Sequence, residues 1–103
     1  MKSFTQGLMV RALQRAKAGK PNIFSRMMQE AVPFNRPHRI SITEISPKGC
    51  VVSIPYRRRN LNHLGTMHAC TIAAAGEYVS GLNVIEAFDI SDFRLILSRL
   101  EVD

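Results

Sequence analysis

The apolar and polar positions of this chain sort into a few periodic segments, punctuated by Gly and Pro. Over 5–18 the period is helical: Leu8, Met9, Ala12, Leu13 and Ala16 share one face, with Arg11, Gln14, Arg15 and Lys17 opposite. Gly19 ends this segment. Pro21 suits the first turn of a second helix, whose apolar positions Ile23, Phe24, Met27, Met28 and Ala31 keep the helical period until Pro33 stops it. The pattern then becomes that of strands. Ile40 and Ile42 alternate with Ser41 and Thr43; Cys50, Val52, Ile54 and Tyr56 alternate with Val51, Ser53 and Pro55. Between them, Ser46-Pro47-Lys48-Gly49 has Pro at the second turn position and Gly at the fourth, as a type I turn prefers. An antiparallel hairpin is predicted, with Pro55 near a strand end or edge because it cannot donate to the ladder.

Residues 68–80 read as a helix that is small and apolar nearly all round: Ala69, Cys70, Ile72, Ala73, Ala74, Ala75, Gly76 and Val79. That is the pattern of a helix buried on most sides, and Gly81 is its expected C-terminal cap. After a polar loop, Phe93–Val102 alternates as a third strand. Leu95 and Leu97 fall on one face; Ile96, Ser98, Leu100 and Val102 fall on the other. This pattern runs to Asp103 without a turn signal. Three strands do not easily wrap a mostly apolar helix, so the sequence predicts that another chain completes the sheet or that a C-terminal part is lacking. The fold class is α+β.

Composition narrows the function classes. At 103 residues, with 46% hydrophobic and 21% charged, the chain makes one small domain that is neither disordered nor collagen-like. No apolar run nears the roughly 20 residues that cross a bilayer, so no membrane span is predicted. Cys50 and Cys70 are too few for a disulfide framework, and no secretory signal precedes them; a reducing cytoplasm is the expected compartment. The first nineteen residues are basic and free of acids, like a mitochondrial presequence. The sorting of charge and apolar residues onto opposite faces, with a second helix directly after, favours an ordinary amphipathic helix.

The net charge of +6 is uneven. Residues 1–59 hold 12 Lys/Arg against Glu30 and Glu44, whereas 60–103 hold Arg94 and Arg99 against six acids. The cations are spread over helices and a hairpin, without Trp, an RNA-binding aromatic strand or zinc-finger spacing. Nucleic acid is therefore a disfavoured partner, and a basic solvated surface accounts for the charge at least as well.

The candidate chemistry lies in Asn62-His63-Leu64-Gly65-Thr66-Met67-His68-Ala69, between a strand and the start of the small-residue helix, with Glu77 nine residues after His68. A helix start offers unpaired N–H groups and a positive dipole end, which favour an oxyanion or carbonyl oxygen. Glu77 stands just over two turns into the helix, near Cys70, Ala73 and Ala74. A carboxylate on an apolar wall is costly unless it is paired or working, and spacing alone equally allows a solvent-facing stripe. His63, His68 and Cys70 fall short of a metal site, which needs three or four converging ligands. Arg57-Arg58-Arg59 either meets phosphates through bidentate contacts or forms a solvated strand-end loop. Phe24, Met27, Met28 and Phe34 could line an acyl pocket or form plain core.

The order of two helices, a hairpin, Asn-x-x-Gly-Thr-x-His at a helix start and an acid nine residues after the His resembles the hotdog-fold acyl-CoA thioesterases. The resemblance covers about 20 to 103 and is closest to the phenylacetate-pathway type, in particular a poorly characterised branch of it. It implies a hotdog domain over 1–103, an antiparallel sheet wrapped around the helix 68–80 that lacks the last strands of that fold. It implies hydrolysis of an acyl-CoA or related thioester, with Glu77 as general base or nucleophile. Asn62 would position the thioester or the attacking water, His68 would orient the carbonyl, and the Ala69 N–H would stabilise the oxyanion. Gly65, Thr66 and the arginines Arg57, Arg58 and Arg59 would bind substrate. Two departures stand out: Ala69 and Cys70 replace a Gly pair, narrowing the approach, and Glu77 replaces an Asp, reaching one methylene further. The resemblance implies no metal and no cofactor apart from coenzyme A within the substrate. It also implies a homodimer or tetramer with sites between protomers, and no membrane partner. Alternatives are a hotdog hydratase/dehydratase or a non-catalytic acyl- or CoA-binding hotdog module.

Overall fold

A computed structural model describes residues 4–88 and 95–101 of the chain. The elements run α1 (Phe4–Lys17), α2 (Asn22–Ala31), β1 (Ser41–Ser46), β2 (Gly49–Ser53) and α3 (Ala69–Ala87), with single 3-10 turns at Arg36–His38 and Arg58–Asn60. This is an α+β architecture. Gly19 ends α1 as a left-handed cap: at φ 95° it lets its own N–H reach Ala16 O while the Lys20 N–H reaches Arg15 O. The chain turns there and α2 starts directly after Pro21.

The hairpin is antiparallel, Ser46 opposite Gly49 across the Pro47-Lys48 turn, with an irregularity between Ile42 and Glu44. That bulge explains the spacing of the isoleucines. Strict alternation from Ile40 and Ile42 would turn Ile45 outward, but the extra residue at Thr43 returns it to the inner face, and all three are buried. Two hydrogen bonds tie α2 to β1 and the residue before it: the Ile42 N–H donates to Ser25 Oγ at 2.9 Å, and Gln29 Nε2 donates to Ile40 O at 3.3 Å. The core joins Leu13 and Ala16 of α1, Phe24 of α2, these isoleucines, and Ala75, Tyr78 and Leu82 of α3. Each large apolar side chain it encloses contributes roughly 1.5–3 kcal/mol.

Four expectations are corrected. The strand from Cys50 ends at Ser53, so Ile54 and Tyr56 of the alternating run lie beyond it, Tyr56 at 73% exposed. The third helix runs to Ala87, seven residues past 80, so Gly81 is an interior helix residue and not a cap. Leu82 explains the extension, because it continues the stripe Thr71, Ala75, Tyr78 that packs on the hairpin. That stripe is also the extent of full burial: Ile72, on another face, is 51% exposed, so α3 is not buried on most sides. Finally, Leu95–Glu101 of the predicted third strand has no regular structure and is exposed. A strand needs a neighbour for its hydrogen bonds, and these residues lie instead along α3, Leu95 packing over Gly81. Phe93, Arg94 and Val102 of that strand fall outside the described residues. Among the described residues the sheet has two strands, so the expected wrapping of a sheet around the helix is present only as a hairpin laid against α3.

Candidate functional site

The segment between β2 and α3 is fastened at Asn60. This residue is fully buried; its Nδ2 donates to His38 O at 3.0 Å and to Pro55 O at 2.9 Å, and its Oδ1 lies 2.9 Å from His38 Nδ1. An amide oxygen only accepts, so His38 Nδ1 carries the proton. The Asn60 carbonyl in turn accepts the His68 N–H at 2.8 Å. One residue, through its side chain and its carbonyl, thus joins the turn before β1, the end of the hairpin and the start of α3. Sequence reasoning missed Asn60 and His38, because neither periodicity nor a motif marks an amide directly after three arginines.

The loop that follows is built by its own polar residues. Asn62 Oδ1 accepts from the N–H groups of Leu64 (2.9 Å) and Thr66 (3.1 Å), and Nδ2 donates to Thr66 Oγ1 at 2.8 Å. The Asn62 N–H donates to Thr66 O at 2.8 Å, and Leu61 bridges to Met67. Gly65 sits at φ 77°, a left-handed conformation costly for any residue with a Cβ, and Tyr56 clamps the turn by donating to Gly65 O at 2.7 Å. Asn62, Gly65 and Thr66 are therefore spent largely on the turn.

The turn delivers His68 to the N-cap of α3. Its Nδ1 accepts the Cys70 N–H at 3.0 Å, which places the ring proton on Nε2 and leaves that group exposed as a donor. The N–H groups of Thr71 and Ile72 close on His68 O. The Ala69 N–H bonds to none of the described residues, so one main-chain donor is free beside the His68 ring.

Glu77 is half-buried and has neither an ion pair nor a hydrogen bond among the described residues. It lines an open, mainly apolar cleft of about 420 Å³ between α3 and the segment after α2, shared with Phe34, Asn35, Cys70, Ala74 and Leu97. On its other flank a smaller cleft of about 250 Å³ runs past Ser80 and Val84 to Leu95. Cys70 is two turns before Glu77 and on its side of the helix. His68 is not: nine residues separate it from Glu77, about 14 Å along the axis and half a turn round it. The structure brings Glu77 and Cys70 to one cleft, and His68 and Ala69 to another side of the same helix. Of the apolar candidates, Phe34 lines the Glu77 cleft, whereas Phe24 is buried in the core with Met27 and Met28 against it.

Arg58 and Arg59 are exposed; Arg57 is half-buried, and its Nη1 is enclosed without an acceptor among the described residues. The ion pairs among the described residues, Arg36–Glu30 and Arg99–Glu101, involve none of the three. No three His, Cys, Asp or Glu side chains gather among the described residues, and no described helix is long and apolar enough to cross a membrane.

Residues 20–103 match the model of a family described as a domain of unknown function (DUF4442), and the chain belongs to that family. No curated protein and no solved structure matches the chain.

Proposed function

We propose that this chain is a hotdog-type thioester hydrolase whose working base is Glu77. The observation that carries the reading is Glu77 itself, a half-buried carboxylate without an ion-pair partner among the described residues, on the wall of a mainly apolar cleft. Structural carboxylates in such surroundings are ordinarily paired. In the reaction Glu77 takes a proton from water as the oxygen attacks the thioester carbonyl. The free Ala69 N–H and the His68 Nε2–H stabilise the oxyanion. The C–S bond then breaks, and the proton held by Glu77 passes to the leaving thiolate, giving a carboxylic acid and a thiol.

Because His68 and Glu77 stand about 14 Å apart on opposite sides of one helix, the reading requires two copies of the chain. Each site takes its oxyanion donors from the start of one α3 and its carboxylate from the partner's helix. Asn62, Gly65 and Thr66 act by holding the loop that presents His68. Arg57, Arg58 and Arg59, cations without an acidic partner among the described residues, meet the phosphates of a coenzyme A thioester.

A panel of acyl-CoA esters with free-thiol detection tests this. Turnover is expected, Glu77→Gln should lower kcat by on the order of a hundredfold or more while keeping the fold, and replacing the three arginines by Gln should raise KM with little change in kcat. Thioesters bound but not cleaved would leave a binding module instead of an enzyme; a Glu77→Gln variant with full turnover would remove Glu77 from the mechanism.

A further inference from the structure

The cleft lined by Glu77 contains a polar group that the proposed reaction does not use. Asn35 belongs to the segment after α2 and is 4% exposed. Its main chain is fully engaged: the N–H donates to Val32 O at 3.0 Å, and the carbonyl accepts from His38 at 3.1 Å and Arg39 at 3.2 Å. Its side chain is not. Asn35 precedes the 3-10 turn Arg36–His38 in a helical conformation, Pro37 has no N–H and the His38 N–H is already on the Asn35 carbonyl, so the side chain makes no cap bond. Nor does its amide hydrogen-bond to any other described residue. The amide atoms are not themselves enclosed, so they open onto the cleft that Asn35 lines and offer donor and acceptor capacity to what enters it.

We infer that Asn35 is a specificity-determining residue that reads an oxygen substituent, hydroxyl or keto, on the acyl group. The inference rests on the reading of this cleft as the acyl-binding part of a thioester site. The remaining lining, with Phe34, Ala73, Ala74 and Leu97, suits hydrocarbon, and the volume of about 420 Å³ suits a short to medium chain. A plain alkyl chain entering there displaces water from the amide and leaves it without a partner. A chain carrying an oxygen replaces that water with a hydrogen bond, and sites built this way discriminate against the analogue that lacks the group.

The test is calorimetric binding of two amide analogues that cannot be hydrolysed, hexanoyl- and 3-hydroxyhexanoyl-aminopantetheine, to the full chain. The wild type should bind the hydroxylated analogue more tightly by roughly tenfold, the scale of one net hydrogen bond. Asn35→Leu, similar in volume and apolar, should abolish that preference while binding the plain analogue at least as well. Asn35→Ser, which keeps polarity but shortens the reach, should also lose it and serves if the Leu variant does not fold. Equal binding of the two analogues by the wild type, no binding of either, or an undiminished preference in a folded variant overturns the inference. The readout does not depend on turnover. A selective binder that cleaves no thioester keeps the role of Asn35 and loses the hydrolase; a hydrolase indifferent to the hydroxyl does the reverse.

Discussion

Tyr78 has a hydroxyl that contributes nothing to the fold, and removing it should make the protein more stable. The residue is 5% exposed in the buried stripe of α3, and its Oη has no partner among the described residues. A buried donor left unmade costs about 1–3 kcal/mol, and Tyr78→Phe deletes that cost while keeping the ring and its packing. A gain of about 1 kcal/mol is expected, which for a domain of this size raises Tm by about 4–8 °C. The pH dependence gives a second handle. Burial holds the Tyr78 phenol well above its ordinary range, so the folded chain keeps a proton that the unfolded chain releases near pH 10. A group with a raised folded pKa contributes stability that is intact below the unfolded value and is lost as pH climbs toward the folded one. Above about pH 10 the wild type should therefore lose up to about 1.4 kcal/mol per pH unit relative to Tyr78→Phe. Urea unfolding of both proteins by circular dichroism, at neutral pH and in steps through the alkaline range, measures the difference. A Phe variant no more stable than wild type at neutral pH, with parallel curves above pH 10, would refute the reasoning and give the hydroxyl a partner.

Asn60→Ala should destabilise by about 3 kcal/mol, since three hydrogen bonds are lost and two half-buried carbonyls are left without their donor; a loss below about 1 kcal/mol in chemical denaturation would deny it the fastening role. Two glycines should respond with opposite signs. Gly65→Ala must hold φ 77° with a Cβ and should cost about 1–2 kcal/mol. Gly81→Ala, inside α3 and with its new Cβ in ordinary 3.6 Å contact with Leu95, should gain about 0.5–1 kcal/mol; matched thermal melts decide both. The thiols should separate kinetically. Cys70 is exposed, whereas burial pushes the Cys50 thiol up, so disulfide exchange with an aromatic reagent at mildly alkaline pH should show one fast thiol that Cys70→Ser abolishes; two equally fast thiols would contradict this.

The parts of the fold that were legible from sequence are those set by local rules. Gly19, Pro21 and Pro33 mark helix ends through backbone conformation alone, and the α1 and α2 bounds lie within a residue or two of the structure. The Pro47-Lys48 turn is equally local. The misreadings all concern packing at a distance. Gly81 looks like a cap until the helix is seen to run past it to Ala87, carried on by the packing of Leu82 in the core. Leu95–Glu101 alternates like a strand but pairs with no strand among the described residues, and alternation supplies a face without supplying a neighbour. The bulge at Thr43 was hidden for the same reason: Ile42 and Ile45 share a face only because β2 pairs with β1 in the register it does.

The motif was legible as a location more than as a set of roles. Asn62, Gly65 and Thr66 read as chemistry because amides and hydroxyls are the groups that chemistry uses, yet these same groups close a tight turn, and here they bond mainly to one another. Asn35 was invisible because an amide between Phe34 and Arg36 has no pattern around it; only its burial on the wall of the Glu77 cleft sets it apart. What the turn leaves free are the His68 Nε2–H and the Ala69 N–H, and both lie at the end of a helix whose carboxylate looks the other way. Ile72, one turn above His68 and 51% exposed, extends that uncovered side of α3. A hydrolase built from this chain must therefore place a second copy over Ile72, so that one protomer's Glu77 reaches the other's His68. Disrupting that contact with Ile72→Lys should abolish turnover while leaving the fold of each protomer intact. A fully active monomeric variant would require both groups to act within one chain, which the helix geometry forbids.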